Sequence, residues 1–318
     1  MSINKNNTDS WKQDISKSVD FFNEWFLAFA PKTFRETRIE TTKEVETALR
    51  RTNNLQNLTP KILIENPSIL PMLRMSTCPP IARDRLIGLA YASPNVVKSL
   101  ELGRLPSRMG KDILNEELTK ICNILQKLID PDIFTWIENR SKPNSKDVER
   151  AATIIADRLC GSVADPIIRN AQEKRQFSSI QNWLEKRNYR KLDAGEIKDF
   201  KDFPDGTFDF HFNVPVSLNN HTTVNIPIDI VIKPHKGKVT SFPILIEAKS
   251  AGDFTNVNKR RKEEAVKMSQ LKNTYGNGIQ FILFLCGYFD SGYLGYEAAE
   301  GIDWVWEHRI DDFSKMGL

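Results

Sequence analysis

A mixed α+β sheet of α/β type behind a helical N-terminal region is the fold class that this 318-residue sequence predicts. Two observations predict it. Apolar residues recur at spacings of three and four up to about residue 190, and at a spacing of two soon after residue 200. Beyond that change the elements run hairpin, strand, basic helix, strand, which describes a sheet with helices packed against it. The chain therefore divides near residue 145, with 1–145 as the helical region and 146–318 as the sheet-bearing core.

The segment WKQDISKSVDFFNEWFLAFA sets Trp11, Ile15, Val19, Phe22 and Phe26 on one helical face, and Pro31 is expected to close that helix. Further helices are predicted over 34–52, 80–91 and 111–129, punctuated by NPSILP and STCPP. A helix from Lys146 should stop near Gly161. Asp165-Pro166 then reads as an N-cap with proline in the first helical position, starting a helix that ends near Tyr189. In TFDFHFNVPVSL, the residues Phe208, Phe210, Phe212 and Val214 alternate with their neighbours as in a half-buried strand. NNH follows as a turn, and TTVNIPIDIVIKP completes an antiparallel hairpin. FPILIEAK is a more buried strand. A basic helix over about Thr255–Tyr275 ends at Gly276, and GIQFILFLCGY is apolar enough for a strand covered on both faces. Trp304, Trp306 and His308 alternate, as in an edge strand whose aromatics serve packing or a subunit contact.

Composition sets the broad class. With 40% hydrophobic and 27% charged residues the chain has the make-up of a soluble globular protein, and no apolar run is long enough to cross a bilayer. The polar start MSINKNNTDSWKQD lacks the apolar stretch of a signal peptide. Cys78, Cys122, Cys160 and Cys286 are far apart with no CxxC pair, which fits free thiols in a reducing cytoplasm and not a zinc site. A net charge of +4 permits a polyanionic partner without requiring one.

The chemistry is concentrated in two strands. Charged residues are seldom buried without a partner, yet ILIEAK ends a core strand in Glu247 and Lys249. Alternation puts those two on one face, with Ile244 and Ile246 on the other. Asp229 joins them if the 222–233 strand lies alongside. Two convergent carboxylates repel, and a divalent cation with oxygen ligands, Mg²⁺ above all, relieves the repulsion. Lys249 beside such a site can hold, or help deprotonate, a water that attacks phosphorus.

Pro227-Ile228-Asp229 with Glu247-Ala248-Lys249 resembles the PD-(D/E)XK nuclease signature, with one extra residue between proline and aspartate. A Glu–Lys pair on a strand edge also arises without such chemistry. A further resemblance is more specific. DRLCGSVADPIIRNAQEKRQ (157–176), GDFTNVNKRRKEEAVKMSQL (252–271) and GYLGYEAAEGIDWVWEHRIDD (292–312) resemble the XamI family of type II restriction endonucleases. The resemblance implies a restriction-endonuclease-like core and a Mg²⁺-dependent homodimer that cuts double-stranded DNA at a short palindrome, GTCGAC for that family, leaving 5′-phosphates. Asp229, Glu247 and the Ala248 backbone carbonyl would hold the metal, and a cognate DNA methyltransferase is implied as functional partner.

Other residues carry two readings each. Lys259, Arg260, Arg261, Lys262 and Lys267 can neutralise DNA phosphates, but with Glu263 and Glu264 beside them they equally describe a solvated helix face. Glu173 is a candidate accessory acid, or the partner of Arg169 one turn earlier. Asp253 can reach the metal or cap the basic helix. His211, His221 and His235 lack metal-ligand spacing and read as surface residues. The N-terminal helices can embrace DNA, form the dimer interface or buttress the core. Two rival functions stand beside restriction: a structure-specific repair or junction nuclease on the same fold, and a non-catalytic DNA-binding module.

Overall fold

The computed structural model of the chain describes residues 3–139, 141–193, 195–219, 222–235, 242–255 and 257–318. It contains two compact units, Ala30–Ile168 and a second made of Met1–Phe29 with Arg169–Leu318. The helices up to the sheet are α1 (Thr8–Arg51), α2 (Pro60–Glu65), α3 (Leu70–Met75), α4 (Arg83–Ala90), α5 (Pro94–Glu101), α6 (Lys111–Leu128), α7 (Thr135–Glu138) and α8 (Ser145–Glu185). The helical unit has its own apolar core, which includes Leu49, Leu63, Leu70, Val97, Leu118, Ile121 and Ile155. No helix among the described residues is long and apolar enough to cross a membrane.

Two helix ends expected from prolines do not occur. Pro31 lies inside α1, which runs on for 44 residues, and Pro166 lies inside the 41-residue α8, which also passes through Gly161. An internal proline removes one helical hydrogen bond and crowds the carbonyl four residues earlier, a cost of about 3 kcal/mol. Burial outweighs it. Phe22 before Pro31, and Val45, Ala48 and Leu49 after it, are all buried, as are Ile155 and Leu159 before Pro166, and Ile180 and Leu184 after it. Each large apolar side chain so buried contributes about 1.5–3 kcal/mol. Both boundaries between the compact units fall within three residues of these prolines.

The second unit is built on one mixed sheet of six strands among the described residues: β1 (Arg190–Lys191), β2 (Thr207–Asn219), β3 (Thr222–Lys233), β4 (Ile244–Ala251), β5 (Gln280–Gly287) and β6 (Asp303–Trp306), in that spatial order. The hairpin β2–β3 and the pair β3–β4 are antiparallel, whereas β4, β5 and β6 are parallel. Parallel neighbours need crossover helices, supplied by α9 (Val257–Tyr275) and α10 (Ser291–Ala299). On one face Leu245, Val231, Leu283 and Leu285 pack with Met268 and Leu271 of α9 and with Trp304 and Trp306. On the other, Ile244, Ile246, Ile230, Ile232 and Phe284 pack with Ile180, Trp183 and Leu184 of α8. The tryptophans expected on an edge strand stand on β6, at the edge of the sheet among the described residues, and are fully buried there as packing, whereas His308 lies beyond the strand.

The amino end belongs to this sheet. The backbone amides of Ile3, Asn4 and Lys5 donate to the carboxylate of Asp303 at 2.6, 2.9 and 3.0 Å. Trp11 then meets Trp304 edge-on, with ring centroids 5.4 Å apart. Further along α1, the Ser18 hydroxyl accepts from the Gly287 amide at 2.8 Å. Gly287 has φ +97°, and a Cβ there would stand 2.1 Å from the Ala251 carbonyl oxygen, so only glycine fits at the end of β5.

Candidate active site

Simple alternation breaks down where Asp229 sits. On β3, Ile226, Ile228 and Val231 belong to the α9 face, while Ile230 and Ile232 belong to the α8 face. On β2 the same reversal separates Phe208 from Phe212. His211 lies between them in the left-handed backbone region, φ +55°. The hairpin therefore changes face at His211 and Asp229. The β3–β4 pairing ends just there, at Ile230 opposite Ile246. Freed from that ladder, the Ala248 amide donates to Asp229 Oδ2 at 2.8 Å.

Glu247 and Lys249 follow Leu245 at intervals of two and share its face, beneath α9. Lys249 Nζ lies 3.0 Å from Glu247 Oε1 and 3.1 Å from Glu264 Oε1. Lys267 Nζ donates to the same Glu247 oxygen at 2.8 Å and to the Pro227 carbonyl at 3.2 Å. Glu247 and Glu264 are 6% and 1% exposed. Beside them a cavity of about 180 Å³ is lined by Lys249, Ser250, Gly252, Asp253, Phe289 and Tyr293.

The electrostatics follow from burial and proximity. Burial, then the Glu247 charge, pushes the Asp229 carboxyl up to about 6, against the Ala248 amide and the two lysines. Burial alone would lower the Lys249 pKa, but Glu247 and Glu264 more than reverse it, so the ammonium form is favoured. Glu297 on α10 is pushed up to about 8, by burial first and then by Glu264.

The donor set suits a hard cation. Asp229 and Glu247 offer carboxylate oxygens, and Glu247 Oε2 is shut from solvent with no hydrogen-bond partner among the described residues, an orphaned acceptor of the kind a bound ion satisfies. Among the described residues no group of three or more His, Cys, Asp or Glu side chains has metal-holding geometry. Any ion here would rest on two carboxylates, with backbone oxygen, water or phosphate completing the shell.

The structure brings together Asp229, Glu247, Ala248 and Lys249 of the residues singled out from sequence. Glu173 is exposed on α8, lines an open groove with Phe177, Lys191, Phe210 and His211, and makes no ion pair with Arg169 or hydrogen bond to Asp229, Glu247 or Lys249. Asp253 accepts from the Thr255 amide at 2.8 Å, a local turn ahead of α9. Lys262 is exposed on α9. The side chains of Lys259, Arg260 and Arg261, like His221, lie outside the described residues. Of the others, His211 is exposed and His235 packs against Tyr189. Glu264, expected on a solvated face, is instead buried over the site, and Lys267 joins it there. Their spacing with Met268 and Leu271 on one helical face was the available signal.

Residues 53–306 match the family described as XamI restriction endonuclease. The chain is 51% identical over 315 residues to the type II restriction enzyme SalI of Streptomyces albus G, covering 99% of each chain. No solved structure matches it. A match over most of the chain, together with full-length identity at this level, places the sequence: it belongs to the XamI family of type II restriction endonucleases.

Proposed function

We propose that this type II restriction endonuclease hydrolyses phosphodiester bonds of double-stranded DNA through Asp229, Glu247 and Lys249, with Mg²⁺ as cofactor. The convergence of two carboxylates and an ammonium where the hairpin changes face carries the reading. Asp229 and the unpartnered Oε2 of Glu247 would hold the ion, with the Ala248 carbonyl as a further ligand. Bound there, Mg²⁺ polarises the phosphoryl oxygen and stabilises the charge that develops on it. Lys249, kept as an ammonium by its two acids, cannot take a proton. It donates to the attacking water and holds it for displacement at phosphorus; the water's proton passes to a phosphate oxygen or to solvent, the P–O3′ bond breaks, and a 5′-phosphate and a 3′-hydroxyl result. Lys267 neutralises the other oxygen of Glu247, so the acids are not left as bare repelling charges.

One active site reaches one strand, so cutting both strands of a palindrome calls for a homodimer whose twofold axis matches that of the DNA. GTCGAC is the site to test, and a cytoplasmic methyltransferase protecting that sequence is the implied companion. Incubation of the purified protein with plasmid of known sequence and Mg²⁺ tests the reading. Discrete bands whose sequenced ends map to GTCGAC support it. A smear, or nicking confined to branched DNA, refutes it.

A further inference from the structure

We propose that Glu264 is the positioning residue of Lys249, fixing its ammonium from the helix side so that the attacking water has one place to bind. The inference rests on the reading of Lys249 given above. A lysine side chain is a point charge on a flexible four-carbon stem, and one partner does not fix it. Here two acids grip it from different elements, Glu247 on its own strand and Glu264 on α9, at 3.0 and 3.1 Å. Glu264 has little else to do. It is 1% exposed, both its carboxylate oxygens are shut from solvent, and among the described residues the cation that faces it is the Lys249 ammonium. A buried carboxylate is strongly unfavourable unless a cation faces it, and the ion pair formed by Glu264 is with Lys249. Lys267 is turned to Glu247 and to the Pro227 carbonyl instead. Glu297 on α10 feels the charge of Glu264 and is fully buried. It stays protonated at neutral pH and so adds no second charge to compete for the ammonium.

The test is Glu264→Gln, nearly the same shape without the charge. Single-turnover cleavage of a duplex carrying the wild-type cleavage site is measured across a Mg²⁺ titration, and duplex binding is measured in Ca²⁺. A displacement of about 1 Å in a positioned group lowers rate by about 100-fold, so a loss of about 10- to 100-fold in rate is expected. Duplex affinity and the Mg²⁺ midpoint should stay at wild-type values, and Glu264→Asp should recover part of the rate. In a Lys249→Ala background, Glu264→Gln should cost nothing further, because it acts through that lysine. Wild-type cleavage by Glu264→Gln overturns the proposal, as do independent losses in the double variant. A raised Mg²⁺ midpoint overturns it too, by making Glu264 a metal ligand. If Glu264→Gln does not fold, the rate and Mg²⁺ midpoint of Glu264→Asp decide. Should Lys249→Ala itself cleave normally, the reading of the whole site fails. Loss with Lys249→Ala but not with Glu264→Gln removes only the positioning role.

Discussion

Asp229 is held where its charge is least welcome. Its carboxyl is pushed up to about 6, from about 4 in an unfolded chain, chiefly by burial and then by Glu247. Below both values the folded and unfolded forms are protonated alike. Between them the unfolded chain releases a proton that the folded one keeps, so stability falls as pH rises and stays lower above 6. Asp229→Asn lacks that fall. In metal-free buffer above pH 6 it should therefore be more stable than wild type by on the order of 2 kcal/mol in chemical denaturation, while losing cleavage. A variant that is both inactive and less stable would contradict this account of the site. That Glu247 and Lys249 share a face was legible because strand alternation is local, and Asp229 entered beside them through residue chemistry alone. Glu264 and Lys267 were not legible. Seen alone, a helix of alternating charges is a solvated helix, and only the sheet beneath α9 turns two of its charges inward.

The elements were legible wherever period and punctuation agreed. The hairpin, the strand carrying Glu-Ala-Lys, the basic helix ended by Gly276 and the apolar strand after it all stand close to their expected bounds. The two prolines misled because a helix break is a local cost and burial on both sides is a larger, non-local gain. The reversal of faces within the hairpin left no local mark either. TFDFHFNVPV alternates without interruption, yet its residues serve two different cores. His211 makes the change possible by taking a left-handed backbone, which costs a residue with a Cβ about 1–2 kcal/mol. His211→Gly should therefore preserve or raise the melting temperature. His211→Val, branched at Cβ, should lower it and weaken cleavage by misplacing Asp229. Equal melting temperatures for the two variants would show that this backbone conformation is not what aims the strand.

The two compact units differ in charge more than the whole-chain figure suggests. Ala30–Ile168 carries 21 Lys and Arg against 17 Asp and Glu, whereas the sheet-bearing unit carries 24 of each. The entire net charge of +4 thus lies in the helical unit, and residues 1–145 of the linear chain carry the same 21 against 17. Phosphate contacts make duplex affinity fall linearly in log salt. Replacing Arg50 and Arg51, exposed at the end of α1, with alanine should flatten that dependence measured in Ca²⁺, and an unchanged slope would assign the contacts elsewhere. Sedimentation should give twice the chain mass of 36.5 kDa, whereas a monomer that still cuts both strands at once would rule out the symmetric arrangement. The tie between Asp303 and the amides of residues 3–5 spans about 300 positions of sequence. During translation Trp11 of the first helix must wait for Trp304 of β6, about 290 residues later, before the two can dock. Ribosome-bound intermediates of this protein should thus display Trp11 to chaperones until β6 has emerged, and a chain cut short before β6 leaves residues 3–5 and Trp11 with nothing to fasten to.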